Sequence, residues 1–120
     1  MKEDRRHERL MLHWRMDVVY ETPQGVSEQF HATTNSISKT GCSIFVEQHI
    51  LVESPVAVQL TIPPLTPEGE GNLIEITALM RYGYLCRARL QYRVGLDFVK
   101  FTGDGQRLLE EAFASLRPYG

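Results

Sequence analysis

The chain has 120 residues, of which 42% are hydrophobic and 23% charged, and its formal net charge at pH 7 is −2. These values fit one soluble globular domain, exclude a largely disordered chain, and argue against a protein that binds DNA or RNA through bulk positive charge. No apolar run reaches the roughly 18–20 residues that cross a bilayer, and the charged N-terminus leads into no signal-peptide core.

We therefore expect a cytoplasmic protein without membrane insertion and without a nucleic-acid partner. Cys42 and Cys86 are too few for a disulfide framework, and we expect both to be small core residues.

The N-terminus is predicted to be a flexible arm over residues 1–11, followed by one folded domain over 12–120. Its first nine residues are polar and carry both signs of charge, so they cannot bury apolar surface alone. The arm contains Arg-x-x-x-Arg at Arg5 and Arg9, with Arg6 as a further arginine. Taken alone this spacing is weak, since it recurs at Arg89 and Arg93.

Strands are predicted where hydrophobic residues alternate with polar ones, because period-two alternation is typical of half-buried strands. The first such run extends from Leu12 to Tyr20, and Thr22-Pro-Gln-Gly25 after it is predicted to be a turn. Further strands are predicted over residues 28–34, 42–47, 56–62, 73–82 and 92–101.

Two connecting segments are less regular. Residues 63–71 contain three prolines and two glycines and are predicted to form a hairpin loop. Residues 83–91 are ambiguous. If they are extended, four polar side chains share one strand face at a spacing of two: Arg87, Arg89, Gln91 and Arg93.

The C-terminus is predicted to be one amphipathic helix, because apolar residues recur at helical spacing from Leu108 to Leu116 before Pro118. Six short strands followed by one helix predict a mainly β fold, a small antiparallel six-stranded β-barrel with a C-terminal α-helix that covers one opening.

Few residue patterns point to catalysis. The four histidines have no metal-ligand spacing, the cysteines form no Cys-x-x-Cys pair, and no nucleophile elbow or phosphate-binding loop is present. The sequence therefore predicts no catalytic residues, no metal and no cofactor, and a protein that is not an enzyme.

A hydroxyl-rich turn stands between the second and third predicted strands and reads Ser36-Ile-Ser-Lys-Thr-Gly41. The chain resembles the PilZ domain family in four features that follow one another in the same order: a basic arm with Arg-x-x-x-Arg, this turn, an all-β body and a terminal helix. The family's second motif, Asp or Asn-x-Ser-x-x-Gly, falls on Ser36, Ser38 and Gly41, and residues 92–99 resemble its last strand.

PilZ domains are typically receptors for cyclic di-GMP (c-di-GMP), a bacterial second messenger. The resemblance implies that Arg5, Arg6 and Arg9 meet guanine edges and phosphates, for which a guanidinium fork is suited. Ser36 and Ser38 would offer hydroxyls. The arm would close over ligand held against the Ser36–Gly41 turn and change the surface shown to an unidentified protein effector in motility, biofilm or exopolysaccharide control.

The sequence departs from the family at Ser36, where Asp or Asn is usual, although Asn35 precedes it. Either Ser36 takes the role of the family's Asp or Asn with a shorter side chain, or Asn35 reaches the same place through a local shift of the chain. One alternative is therefore a PilZ-like adaptor with lost or weak c-di-GMP binding that acts by protein contact, for example in pilus assembly. A second is a single-strand binder that uses Tyr82, Tyr84 and Tyr92 with neighbouring arginines. We expect a monomer or weak dimer.

Overall fold

A computed structural model describes residues 9–116 of the chain. It contains six strands and one helix: β1 (Arg15–Glu21), β2 (Ser27–Ile37), β3 (Gly41–Val46), β4 (Val56–Ile62), β5 (Asn72–Cys86), β6 (Gln91–Phe101) and α1 (Gly105–Leu116). All strand pairs are antiparallel, and the order β1-β2-β3-β6-β5-β4 closes into a barrel because β1 also pairs with β4. The predicted fold class is confirmed.

The barrel interior is filled by the inward-facing set of each alternating strand. Val18, Ile44, Leu60 and Leu96 are fully or almost fully buried. Successive side chains of a strand point to opposite faces, so one apolar residue in two is enough to build this core. Period-two alternation was therefore the right signal for the strands.

Helix α1 packs on one end of the barrel, as predicted. Leu109, Ala112 and Phe113 are its buried side chains, and the Phe113 ring stacks on Trp14 with centroids 6.1 Å apart. The helix begins after Asp104, whose carbonyl accepts a hydrogen bond from the Leu108 N–H at 2.9 Å. The apolar stripe thus covers this opening of the barrel.

The predicted turns at residues 22–25 and 63–71 are confirmed. The Gly25 N–H donates to the Thr22 carbonyl at 2.8 Å, and Gly25 has φ +82°, which favours glycine. Residues 63–71 connect β4 to its antiparallel neighbour β5.

The second strand is longer than the sequence predicted. We expected it to end at Thr34, whereas β2 continues to Ile37. The physical reason is pairing with β3: Ser36 lies opposite Ser43 and Ile37 opposite Cys42, which places Ile37 fully inside the core. The segment from residue 35 to residue 41 is therefore half strand, and only residues 38–40 connect β2 to β3.

The ambiguous segment 83–91 is resolved as a long hairpin. β5 continues to Cys86, a four-residue turn follows, and Leu90 has φ +55° where the chain reverses. The conditional face of four polar residues is consequently wrong, because Arg87 and Arg89 lie in the turn while Gln91 and Arg93 lie on β6.

Candidate functional site

The two sequence motifs meet at the end of β2. The Arg9 guanidinium donates through Nη1 to the Ser36 hydroxyl at 3.0 Å, across 27 residues of sequence. Ser36 is buried and also shares a hydrogen bond with the Ser43 hydroxyl at 2.9 Å. One continuous chain of hydrogen bonds therefore links the N-terminal arginine motif to β2 and β3.

The backbone beside Arg9 holds the arginine in this position. The Leu10 N–H donates to the Ile37 carbonyl at 2.8 Å, and the Ile37 N–H donates back to Leu10 at 2.9 Å. Leu10 also packs against the core. Arg5 and Arg6, which the sequence also assigned to the site, lie outside the described residues.

Asn35 and Ser36 share one position in the β2–β3 ladder. The register shifts between Thr34 and Ser36, so Asn35 is an extra residue opposite β3. A β-bulge of this kind places two residues against one and turns the strand locally. Asn35 lines a cleft beside β2, while Ser36 contacts Ser43 and Arg9. The local shift that one of the two sequence-based alternatives required is therefore present. However, the side chains of Asn35 and Ser36 have different surroundings.

Ser38 stabilises the turn between β2 and β3. Its backbone N–H donates to the Gly41 carbonyl at 2.8 Å, and its hydroxyl accepts from the Thr40 N–H at 3.2 Å and lies 3.3 Å from the Gly41 carbonyl. The side chain is almost completely buried. Ser38 satisfies the backbone of its own turn, as hydroxyl residues commonly do.

Gly41 lies at the start of β3, close against the backbone of β6. A Cβ atom at this position would be 2.4 Å from the Leu96 carbonyl oxygen, and such contacts essentially never occur. The absence of a side chain therefore serves the packing of the two strands. Its backbone also completes the Ser38 turn.

A row of four residues continues from this site across the barrel, and two of them, Ser43 and Gly95, were not identified from the sequence. Ser36 pairs with Ser43, Ser43 with Gly95, and Gly95 with Tyr82, on four neighbouring strands. The Tyr82 ring covers Gly95, since a Cβ there would be 2.1 Å from a ring carbon. The sequence signal that was available for Ser43 is its spacing of two from Gly41, which places both on one face.

The row ends in aromatic surface. Tyr82 is 38% exposed and stacks on Tyr84, which is 49% exposed, with centroids 5.6 Å apart. Tyr92, the third aromatic of the single-strand-binding alternative, contacts His49 instead. The three tyrosines therefore do not form one stacking platform.

The thiol of Cys42 lies next to this site but inside the core. Burial raises its pKa from 9.0 to about 12, and the positive charge of Arg9 offsets part of that shift. A thiol with this pKa remains protonated and unreactive at neutral pH. Cys86 is only half-buried, so the expectation of two core cysteines holds for Cys42 alone.

Residues 9–116 contain no group of three or more metal-ligating side chains and no helix that is long and apolar enough to span a membrane. The site offers the guanidinium of Arg9 and a nearby aromatic ring, while the hydroxyls of Ser36 and Ser43 are buried and bonded to each other. These groups suit an anionic, planar, hydrogen-bonding ligand.

Comparison with known proteins gives one family. The family model described as PilZ domain matches residues 3–115. A search of curated protein sequences found no match.

Solved structures share the fold at low sequence identity. The Bacillus subtilis inhibitor of motility (MotI/DgrA) has a TM-score of 0.71 and 16% identity, over 94% of this chain and 51% of that one. The c-di-GMP complex of MrkH from K. pneumonia has a TM-score of 0.60 and 18% identity, over 96% and 53%. The PilZ domain of Escherichia coli YcgR with c-di-GMP has a TM-score of 0.56 and 11% identity, over 95% and 92%. The chain spans about half the length of MotI and MrkH.

Proposed function

Because the chain belongs to the PilZ family, we propose that it is a receptor for c-di-GMP that signals to a partner protein and has no catalytic role. The observation that carries the proposal is the hydrogen bond from Arg9 to Ser36. This bond brings residues of two motifs that are distant in sequence into contact, on a fold shared with two proteins whose structures contain c-di-GMP.

The chemistry of the site supports this ligand. Guanine presents O6 and N7 as adjacent acceptors, and a guanidinium can meet both with two parallel hydrogen bonds. A phosphate is bound by the same fork through charge and geometry. Arg9 has five N–H donors, of which Ser36 takes one. We assign Arg5 and Arg6 to the same ligand because they precede Arg9 in the motif.

The remaining predicted residues have unequal roles in the proposal. Asn35 and Ser36 are the polar side chains at the bulge, and we assign them the place of the family's Asp or Asn. Ser38 and Gly41 act by shaping the turn, since the Ser38 hydroxyl already serves the backbone and Gly41 serves strand packing. Ligand contact by these two would be through the backbone.

Calorimetric titration with c-di-GMP at fixed, near-physiological salt tests the proposal. We expect micromolar or tighter binding, and a tenfold to hundredfold loss in Arg9→Ala, because a hydrogen bond to a charged group contributes roughly 1.5–3 kcal/mol. The Arg5→Ala variant tests the other half of the motif.

Arg107→Ala is the matched control. Arg107 is an exposed arginine on α1 that pairs with Glu111 and Asp104. Replacing it with alanine removes the same positive charge as Arg9→Ala, but at a place away from the candidate site. Equal affinity of Arg9→Ala and the wild type would refute the assignment of the site. Absence of heat at millimolar c-di-GMP would refute the receptor function.

One observation favours a second function, a PilZ-like adaptor with weak or no c-di-GMP binding. Ser36 is shorter than Asp or Asn, and its hydroxyl is already bonded to Arg9 and Ser43. In this alternative the hydrogen-bond chain is a structural link, and the domain acts through protein contact. A wild type that does not bind c-di-GMP, and a Ser36→Asp variant that does, would support the adaptor.

A further inference from the structure

One edge of β2 has no neighbouring strand in the part of the chain that the structure describes. β1 pairs with Ser27–Thr33 of β2 along one edge. β3 pairs with the other edge only from Thr34 to Ile37, and it ends at Val46, two residues past the partner of Thr34. The seven residues from Ser27 to Thr33 therefore leave an open edge of about 23 Å.

The β1–β2 ladder determines which residues of β2 direct their backbone N–H and C=O groups into the open edge. The Thr34 N–H donates to the Trp14 carbonyl at 2.9 Å, which shows that Thr34 directs its backbone groups toward the β1 side. Backbone groups alternate between the two edges along an antiparallel strand. Ser27, Gln29 and His31 therefore direct their N–H and C=O groups away from β1, into the open edge.

A cleft of about 650 Å³ lies beside this edge, and we call it the β2-edge cleft. Phe30 and Ala32 of β2 line one side, and Val46 and Ile50 line the other. Both sides are partly apolar, and a strand placed about 4.8 Å from β2 would lie between them.

The cleft lining has two carboxylates and one guanidinium, which leaves one excess negative charge when histidine is counted as neutral. Glu28 of β2 and Glu47 after β3 line it, and Gln91 donates to Glu47 at 2.9 Å. The one arginine in the lining, Arg89, packs its guanidinium over the Phe45 ring at 4.1 Å. An occupant with lysine or arginine among apolar residues would complement this lining.

We propose that the β2-edge cleft binds an extended segment of a partner protein, which joins the sheet as a strand beside β2. The segment has alternating apolar side chains for the cleft walls and at least one basic side chain for the carboxylates. Main-chain hydrogen bonds to an open edge give affinity in this mode, and side-chain pockets give specificity.

The walls of the cleft favour a single peptide strand over a second copy of this chain. The edge strand of another barrel has its own β1 beside it, and that strand would meet the wall formed by Phe45, Val46 and Arg89. This inference goes beyond c-di-GMP binding, and peptide binding here does not require the nucleotide.

Amide hydrogen exchange, followed by NMR, gives a residue-specific test. The probe is the capped peptide acetyl-Lys-Val-Thr-Val-Lys-Val-amide, which combines alternating valines with two lysines. We expect the probe to protect the amides of Ser27, Gln29 and His31. The amides of Glu28 and Phe30, which already bond to β1, should not change.

A proline substitution tests the edge directly. Gln29→Pro removes an N–H that points into the cleft and leaves the bonds between β1 and β2 intact, so the fold should persist. We expect at least tenfold weaker probe binding in Gln29→Pro and unchanged binding in Gln29→Ala, which keeps the N–H. Circular dichroism and the melting temperature verify the fold of both variants.

Several outcomes would overturn the inference. Equal binding by Gln29→Pro and Gln29→Ala would show that the edge is not used, and so would protection of Glu28 and Phe30 together with the odd-numbered residues. No probe binding at millimolar concentration would exclude the peptide. Concentration-dependent dimers in sedimentation, with the three edge amides protected without probe, would assign the edge to a second copy.

Discussion

The substitution Gly41→Ala separates the structural role of this glycine from a role in ligand binding. The new methyl group would lie 2.4 Å from the Leu96 carbonyl oxygen, so β3 and β6 would have to separate by about 0.6 Å to reach even 3.0 Å. The obstacle is backbone within a paired ladder, which cannot rotate away as a side chain can. We therefore expect overpacking to cost about 1–3 kcal/mol.

Gly83→Ala is the matched control, because it adds the same methyl group to a strand glycine. Its Cβ would meet the Ile50 carbonyl at 3.7 Å and the His49 ring at 3.8 Å, which are ordinary contacts. Replacing a glycine at a compatible site reduces the entropy of the unfolded chain, so stability should be unchanged or increase by about 0.4–1 kcal/mol.

Urea denaturation and differential scanning calorimetry measure the difference between the two variants. For a domain of this size, 1 kcal/mol corresponds to roughly 3–6 °C in melting temperature. Gly41→Ala should melt on the order of 5–15 °C below the wild type, with Gly83→Ala at or above it. A Gly41→Ala variant that is as stable as the wild type but fails to bind c-di-GMP would refute the packing argument and assign the glycine to the ligand.

Three further predictions concern the turn, the core and the thiols. Ser38→Ala should lose about 0.5–1.5 kcal/mol in urea denaturation, because it removes the acceptor of the Thr40 N–H in an exposed residue that water still reaches; an unchanged midpoint would contradict this. Phe113→Ala should lose about 3–5 kcal/mol and alter Trp14 fluorescence, and stability equal to the wild type would mean that the packing of α1 on the barrel does not stabilise the fold. The pKa of Cys42 is about 9 in the unfolded chain and about 12 in the folded protein, so its contribution to stability is complete below pH 9 and is lost as pH rises toward 12. Between pH 9 and 12 the wild type should therefore lose more stability than Cys42→Ala. Equal loss in both would contradict the burial of the thiol. At pH 8 only Cys86 should react with a thiol reagent before denaturation.

The fold was largely predictable from the sequence because period-two alternation reports directly on burial. β4 was predicted at its observed bounds, Val56–Ile62. The first strand was predicted from Leu12 but β1 begins at Arg15, because the Trp14 N–H donates to the Thr34 hydroxyl instead of to a backbone carbonyl of β2. Ser36 and Ile37 belong to β2 because of their pairing with β3, and no local pattern contains a pairing partner.

One contact within the candidate site was predictable from the sequence, and its ligand-binding role stays a prediction. Motif order placed Arg9 and Ser36 in one proposed site, and the two side chains are hydrogen-bonded in the structure. The bulge at Asn35 could not be predicted, because it depends on how β2 and β3 align across the ladder. The Ser38 hydroxyl accepts from the Thr40 N–H of its own turn. This contact depends on the conformation of the turn, which the sequence of residues 38–40 does not specify.

The closure of the barrel also determines how the chain must assemble. β1–β2, β2–β3, β4–β5 and β5–β6 are hairpins that short connections bring together early. The seams that close the cylinder join Met16 to Leu60 and Ser43 to Gly95, which are far apart in the chain. Forming contacts between residues so far apart costs loop-closure entropy before any interaction compensates for it. Folding should therefore take on the order of milliseconds to seconds. Until those seams form, each hairpin exposes an apolar face, and for this protein the period of greatest aggregation risk comes before closure rather than after it.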